Sequence, residues 1–282
     1  MATFDTPEPI AVDVEIGVGH IHILAADRAD TVVEVRPSDP ASKSDVAAAA
    51  ETRVEFVSGV LHVKTAKGWR QYSPWSGNES IEVELCLPSG SHLRASAGVG
   101  TLDGSGRLGE CHVKTGVGHI HLDQVGPVEI KTGAGEVTAD RIVGDTVVTT
   151  GSGALRLGSI EGTAVIKNMN GDTWIGQVTG PLKVNAANGT ISVDQADDTV
   201  TARTANGDIR LGDVARGVVV AQTACGKVEV GVREGVAAWL DLDTHFGNVD
   251  NRLDAVAGPA PGESAVEVRA RNSFGDIAIH RS

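Results

Sequence analysis

TANGDIRLGDVARGVVVAQ, residues Thr204–Gln222, is the stretch whose reading decides the fold. Asp208-Ile209-Arg210-Leu211 alternates polar with apolar. That period of two puts Ile209 and Leu211 on one face of a strand. Ahead of it stands Asn206-Gly207, two residue types that accept positive φ and so can turn a sharp corner. Ile209, Leu211, Val214, Val218 and Val220 are the main apolar residues of the stretch. The whole reads as strand, turn, strand, turn.

The pattern recurs along the chain. Aligning on a glycine two residues before an apolar position gives AGVGTL, TGVGHI, TGAGEV, TGSGAL, NMNGDT, AANGTI, TANGDI, TACGKV, THFGNV and NSFGDI. The aligned glycines are Gly100, Gly118, Gly135, Gly153, Gly171, Gly189, Gly207, Gly226, Gly247 and Gly275, at intervals of 18, 17, 18, 18, 18, 18, 19, 21 and 28 residues. A strand-helix-strand crossover needs about 30 residues, so a unit of this length fits one coil of a parallel β-solenoid. No coil buries its apolar face alone, and stacked neighbours build the core together. Right-handed coiling is expected, because parallel crossovers favour that hand. Asn170, Asn188 and Asn206 precede three successive repeat glycines. Stacking would set them in a column, as Asn ladders do between stacked parallel strands. Thr115, Thr132, Thr150, Thr204, Thr223 and Thr244 recur three residues before the glycine and would form a packing column.

Read this way, residues 1–282 form a single β-solenoid domain, with regular coils over 93–282 and a cap region over 1–92. Within the cap region a helix is expected over 41–52, with Ser44 or Asp45 as its cap. A hairpin across Ser58-Gly59 follows, and then the aromatic loop 68–80. Trp69, Tyr72 and Trp75 in that loop are candidates for a lid over the open end of the stack or for a partner-binding surface.

GVGHIH occurs at Gly17–His22 and again at Gly116–His121. His119 and His121 are candidate metal ligands, since both rings project from one strand face and Asp103 or Glu136 could supply a third ligand. The same two positions hold Thr101 and Asp103, or Asp208 and Arg210, in other coils. The column is therefore a generic solvent face, and no metal site and no cofactor are expected.

The composition excludes several classes. There are 24 basic and 37 acidic residues, a formal charge of -13, which argues against a phosphate-backbone binder. Cys86, Cys111 and Cys225 have no metal-knuckle spacing and leave an odd thiol, as expected of a reducing compartment. MATFDTPEPIAVDVEI lacks a basic region followed by an apolar run. No stretch approaches the roughly 20 apolar residues that span a bilayer. The expected location is the cytoplasm.

VELCLPSGSHLRASAGVGTLDG, KTGAGEV and TANGDIRL together resemble the bacterial putative-adhesin family of β-strand-repeat domains. The likeness extends over nearly the whole chain. It implies a parallel β-helix, similar in architecture to the bactofilins, and brings no catalytic residues with it.

The function expected is a non-enzymatic scaffold or protein-interaction module, self-associating or binding a protein partner. No small-molecule ligand is predicted. Two alternatives stand beside it. A carbohydrate-binding or carbohydrate-active β-helix would use carboxylates such as Asp172 and Asp208 with Arg210. An acidic nucleic-acid mimic would use the negative charge, but Lys and Arg are interspersed among the acids.

Overall fold

The computed structural model describes residues 1–65, 79–254 and 265–282. These form two compact units, Met1–Ala139 and Asp140–Ser282. Each is a stack of coils in which the alternation read from the sequence becomes two strands joined at a glycine corner.

The first unit contains β1 (Ala2–Asp5), β2 (Ala11–Ala26), β3 (Asp30–Pro37), α1 (Lys43–Glu51), β4 (Arg53–Val57), β5 (Val60–Lys64) and β6 (Ile81–Pro88). It continues with β7 (His92–Arg107), β8 (Cys111–Val117), β9 (Ile120–Val125) and β10 (Val128–Ala134). In β2 the buried residues are Val12, Val14 and Ile16, then Ile21, Ile23 and Ala25. The inward set changes from even to odd numbers across Gly17-Val18-Gly19. A period-two strand can change parity only if it turns a corner there. β7 repeats this, with Leu93, Ala95 and Ala97 buried before the corner and Leu102 after it. The strands stack in parallel register: Val12 lies against Leu93, Leu93 against Cys111 and Cys111 against Val128.

Antiparallel strands terminate the first coil. β4 folds back on β5 through Ser58 and Gly59, both with positive φ, which is the expected hairpin. β3 runs antiparallel to β6 and β1 to β3. Phe4 of β1 meets Phe56 of β4 with ring centroids 5.4 Å apart. Helix α1 lies within the expected 41–52 span, but its cap is Ser42, which accepts from the Asp45 backbone N–H. The helix begins at Lys43, so Ser44 and Asp45 already lie in its first turn and cannot be the capping residue.

The second unit takes most of β11 (Val137–Val143), then β12 (Thr146–Ser152), β13 (Leu155–Glu161), β14 (Ala164–Asn170), β15 (Thr173–Val178), β16 (Leu182–Asn188), β17 (Ile191–Ala196), β18 (Val200–Asn206) and β19 (Ile209–Val214). It ends with β20 (Gly217–Cys225), β21 (Val228–Val232), β22 (Ala237–Phe246), β23 (Val249–Asn251), β24 (Ala265–Phe274) and β25 (Ile277–Arg281). Strands β12, β14, β16, β18 and β20 build one wall. β13, β15, β17, β19 and β21 build the other. One core column runs Val148, Ile166, Val184, Ala202, Ala221 and Ala270, each fully buried. Burying a Val, Leu or Ile side chain contributes about 1.5–3 kcal/mol, and the repeat supplies such residues at every level.

Two features lie beyond the sequence reading. Val218 and Val220 face outward and are only half-buried, whereas Val219 and Ala221 fill the core. The second turn, at Ala215-Arg216-Gly217, shifts the phase by one residue. The last two coils are also exchanged in the stack. β24 pairs with β20 on one side and β22 on the other, and β25 lies likewise between β21 and β23. The strand nearest the C-terminus is therefore interior, and β22 with β23 forms the terminal level. The lengthened intervals of 21 and 28 residues accommodate this exchange.

Candidate functional site

The repeat glycines form a column in which backbone meets backbone. A Cβ on Gly207 would lie 2.1 Å from the carbonyl oxygen of Gly189, and one on Gly189 would lie 2.2 Å from that of Gly171. At Gly275 the distance to the Gly226 oxygen is 2.2 Å, and at Gly247 the distance to the Gly275 oxygen is 1.8 Å. Gly118 and Gly135 stand in the same relation to Gly100 and Gly118. These glycines are structural, and they leave the adjoining column free to face solvent.

In the second unit that column runs Ser152, Asn170, Asn188, Asn206, Cys225, Phe274 and Phe246. The expected Asn ladder is present. Asn188 Nδ2 donates to Asn170 Oδ1 at 2.8 Å, and Asn206 Nδ2 donates to Asn188 Oδ1 at 2.9 Å. Asn170 donates in turn to the Gly151 carbonyl. The Thr positions are buried at Thr115, Thr132, Thr150, Thr204 and Thr223. Thr115 bonds Thr132 at 3.0 Å, while Thr223 donates to the Gly207 carbonyl at 3.0 Å.

The carboxylates singled out for glycan chemistry are occupied by the backbone. Asp172 Oδ1 accepts from Thr190 N at 2.8 Å, and Asp208 Oδ1 accepts from Lys227 N at 2.7 Å. Asp276 accepts from Asn248 N in the same way. Arg210 is paired with Glu229. The coil that carries Thr190 separates Asp172 from Asp208, and each carboxylate caps a turn one level on. No acid–base pair converges between them.

His119 is exposed, and His121 stands in register with Asp103, which in turn stands in register with His22. The register thus brings together two of the residues named as metal candidates. Among the described residues no group of three or more His, Cys, Asp or Glu is arranged to hold a metal ion. Trp69, Tyr72 and Trp75 lie outside the described residues. All three cysteines are free thiols. Burial pushes the Cys111 thiol up to about 12, so it stays protonated and unreactive. Cys225 is exposed and takes the ladder position after Asn206.

What sequence reasoning missed is the end of the second unit. The last level has no buried residue in β22 or β23. Val249 is 46% exposed, whereas Ile277 and Val228, in register beneath it, are at most 1% exposed. Leu240 and Leu242 are half-buried above Val268 and Ala270, which are fully buried. Phe246 stacks on Phe274 with centroids 5.0 Å apart and planes within 8°. Both rings are more than half exposed, as is Trp239. Among the described residues no strand pairs with the outer edge of β22. The signal for this site was the broken interval after Gly226.

A clamp fastens the coils just beneath. Arg233 Nη2 lies 2.7 Å from Asp213 Oδ2 and 2.9 Å from Asp197 Oδ1. Burial works against ionisation of Asp197, but hydrogen bonds from Arg233, Gln195 and Gln177 outweigh it and hold the carboxyl below its ordinary range. Arg281 of β25 donates to the carbonyls of Arg233 and Val236.

This glycine-cornered coil has a known counterpart, since the family model Toastrack DUF4097 matches residues 11–280. The chain belongs to the Toastrack DUF4097 family. The resemblance to an adhesin-like repeat family of unknown function is thereby confirmed, and no enzymatic family is indicated. A solved structure of a putative cell adhesion protein from Clostridium sporogenes ATCC 15579 is similar over 100% of the Toastrack chain and 98% of its own, at 12% identity and a TM-score of 0.24. No curated protein matches it. Among the described residues no helix of this Toastrack chain is long and apolar enough to cross a membrane.

Proposed function

We propose that the chain is a non-enzymatic β-solenoid interaction module that self-associates through the open level β22/β23. The observation that carries this is the exposed aromatic last level of unit two, set against the first level of unit one. The first coil of unit one ends in antiparallel strands, with Phe4 against Phe56 and the exposed charges Arg53 and Glu55 on β4. The last level of unit two leaves Trp239, Phe246 and Val249 exposed, beside a strand edge that is unpaired among the described residues. Such an edge is a template for another strand. The outer face of Phe246 would continue the aromatic stack if a second Phe246 met it. A self-complementary level gives an isologous dimer, because a contact that uses the same patch on both partners closes on itself. The three free thiols, one of them exposed, support a reducing cytoplasmic location.

The test is light scattering after size exclusion across a concentration series. The expected result is a monomer at low concentration passing to a dimer that grows no further. Phe246→Glu should hold the chain monomeric with an unchanged circular dichroism spectrum. A wild-type chain that stays monomeric throughout, or a dimer that persists in Phe246→Glu, overturns the reading.

A further inference from the structure

A cleft of about 350 Å³ opens on the outer face of unit one, over the neighbouring strands β5, β2, β7 and β8. Ala11 and Val60 supply apolar lining, and the core residues Val12 and Leu93 reach it only at their margins. Its rim carries a register column of charge: His62 pairs with Asp13, Asp13 with Arg94, and Arg94 with His112.

The hydrogen bonds show which groups are spent and which are left. Asp13 Oδ2 takes both Lys64 Nζ at 2.8 Å and His62 Nδ1 at 3.2 Å. His112 places Nε2 2.9 Å from Glu110 Oε1 and Nδ1 3.2 Å from Glu129 Oε2. His92 Nδ1 accepts the backbone N–H of Glu110 at 3.0 Å, so the neutral ring carries its proton on Nε2. Arg94 is exposed, and among the described residues no carboxylate lies within ion-pair distance of it. The unspent donors are therefore the Arg94 guanidinium and His92 Nε2–H. The unspent acceptors are the second oxygens of Asp13 and Glu110, together with His62 Nε2.

Donors for one anionic group thus stand beside acceptors for neutral hydroxyls, with the apolar side chains of Ala11 and Val60 next to them. We propose that this cleft binds a small monocarboxylate bearing hydroxyl groups, of the sugar-acid class, with Arg94 and His92 on the carboxylate and Asp13 and Glu110 on the hydroxyls. Arg suits the task because its planar fork matches a carboxylate. The cleft volume lies within the range of small-molecule sites. A dianion such as phosphate is disfavoured, because Asp13, Glu110 and Glu129 would repel its second charge. This site is separate from the open level β22/β23 and stands whether or not the chain dimerises.

The test is calorimetric titration of the full chain with D-glucuronate, D-glucose and inorganic phosphate. Glucuronate should saturate with a dissociation constant of about 1 mM, while glucose and phosphate bind at least about tenfold more weakly. Arg94→Gln should weaken glucuronate binding at least about tenfold, with melting temperature unchanged because the side chain makes no bond within the described residues. Arg210→Gln should leave binding intact. Binding of glucuronate and glucose alike, no binding of glucuronate, or full binding in Arg94→Gln overturns the assignment.

Discussion

The glycine at each corner is set by contact rather than by flexibility. Gly207 has φ of 141° and sits 2.1 Å, by its missing Cβ, from a carbonyl that cannot move without breaking the ladder beside it. Gly207→Ala is therefore expected to cost more than the roughly 1–3 kcal/mol of a strained backbone position alone, seen as a large drop in thermal midpoint. Asn168 shows the opposite risk. It is buried, its Nδ2 donates to the carbonyls of Gly153 and Gly171, and its Oδ1 finds no partner among the described residues. Asn168→Asp would turn those carbonyls toward a carboxylate. Its folded-state pKa would rise above the unfolded value, so the stability deficit should be largest at neutral pH and shrink as pH falls. Denaturant titrations at pH 7 and pH 4 compare the two; an equal deficit at both would contradict this account. At this scale the sequence was informative: Asn-Gly, the Thr column and the outward place of His119 were all readable from period and spacing. The carboxylate of Asp208 was not, because a side chain that caps the next coil looks the same in sequence as one that faces substrate.

Strand by strand, the stack is held by ladders that pass from one coil to the next. Asn188 both gives and receives an amide bond. Asn188→Ala should therefore lose two bonds, for about 1 kcal/mol in total since the site is exposed, measured as a shift in urea midpoint with unchanged slope. The Arg233 clamp ties three levels, because Asp197, Asp213 and Arg233 stand on successive coils. Asp197 has its pKa depressed in the folded state. Its contribution is present above the unfolded carboxylate pKa and is lost as pH falls through the folded value. Thermal midpoints of wild type should thus drop on acidification more steeply than those of Asp197→Asn, and parallel curves would remove the clamp from the account. None of this could be read from one coil. Val218, Val219 and Val220 are three apolar residues in a row, and only the partner strand shows that Val219, aligned with Val200, is the one that fills the core.

On the scale of the whole chain, the first level of unit one and the last level of unit two differ in kind. The former carries antiparallel strands with Phe4 against Phe56; the latter presents exposed aromatic rings. The repeat made the solenoid legible, since seven consecutive intervals lie within one residue of 18. It did not make the stacking order legible, because parallel neighbours are chosen by fit in space and the interval only hints that a level has been skipped. That skip also bears on how the protein is made. Residues 237–251 leave the ribosome before residues 265–282, yet among the described residues their strand partners all lie in the later segment. Until that segment arrives, β22 has no template and its Trp and Phe side chains have nothing to settle on. Synthesis along this chain therefore passes through a stage in which a finished stack trails an unanchored strand. A shortened protein that lacks residues 265–282 should remain at that stage: it loses an inner rung rather than an outer one, and limited proteolysis should cut within 237–251 while leaving the coils before Gly226 intact.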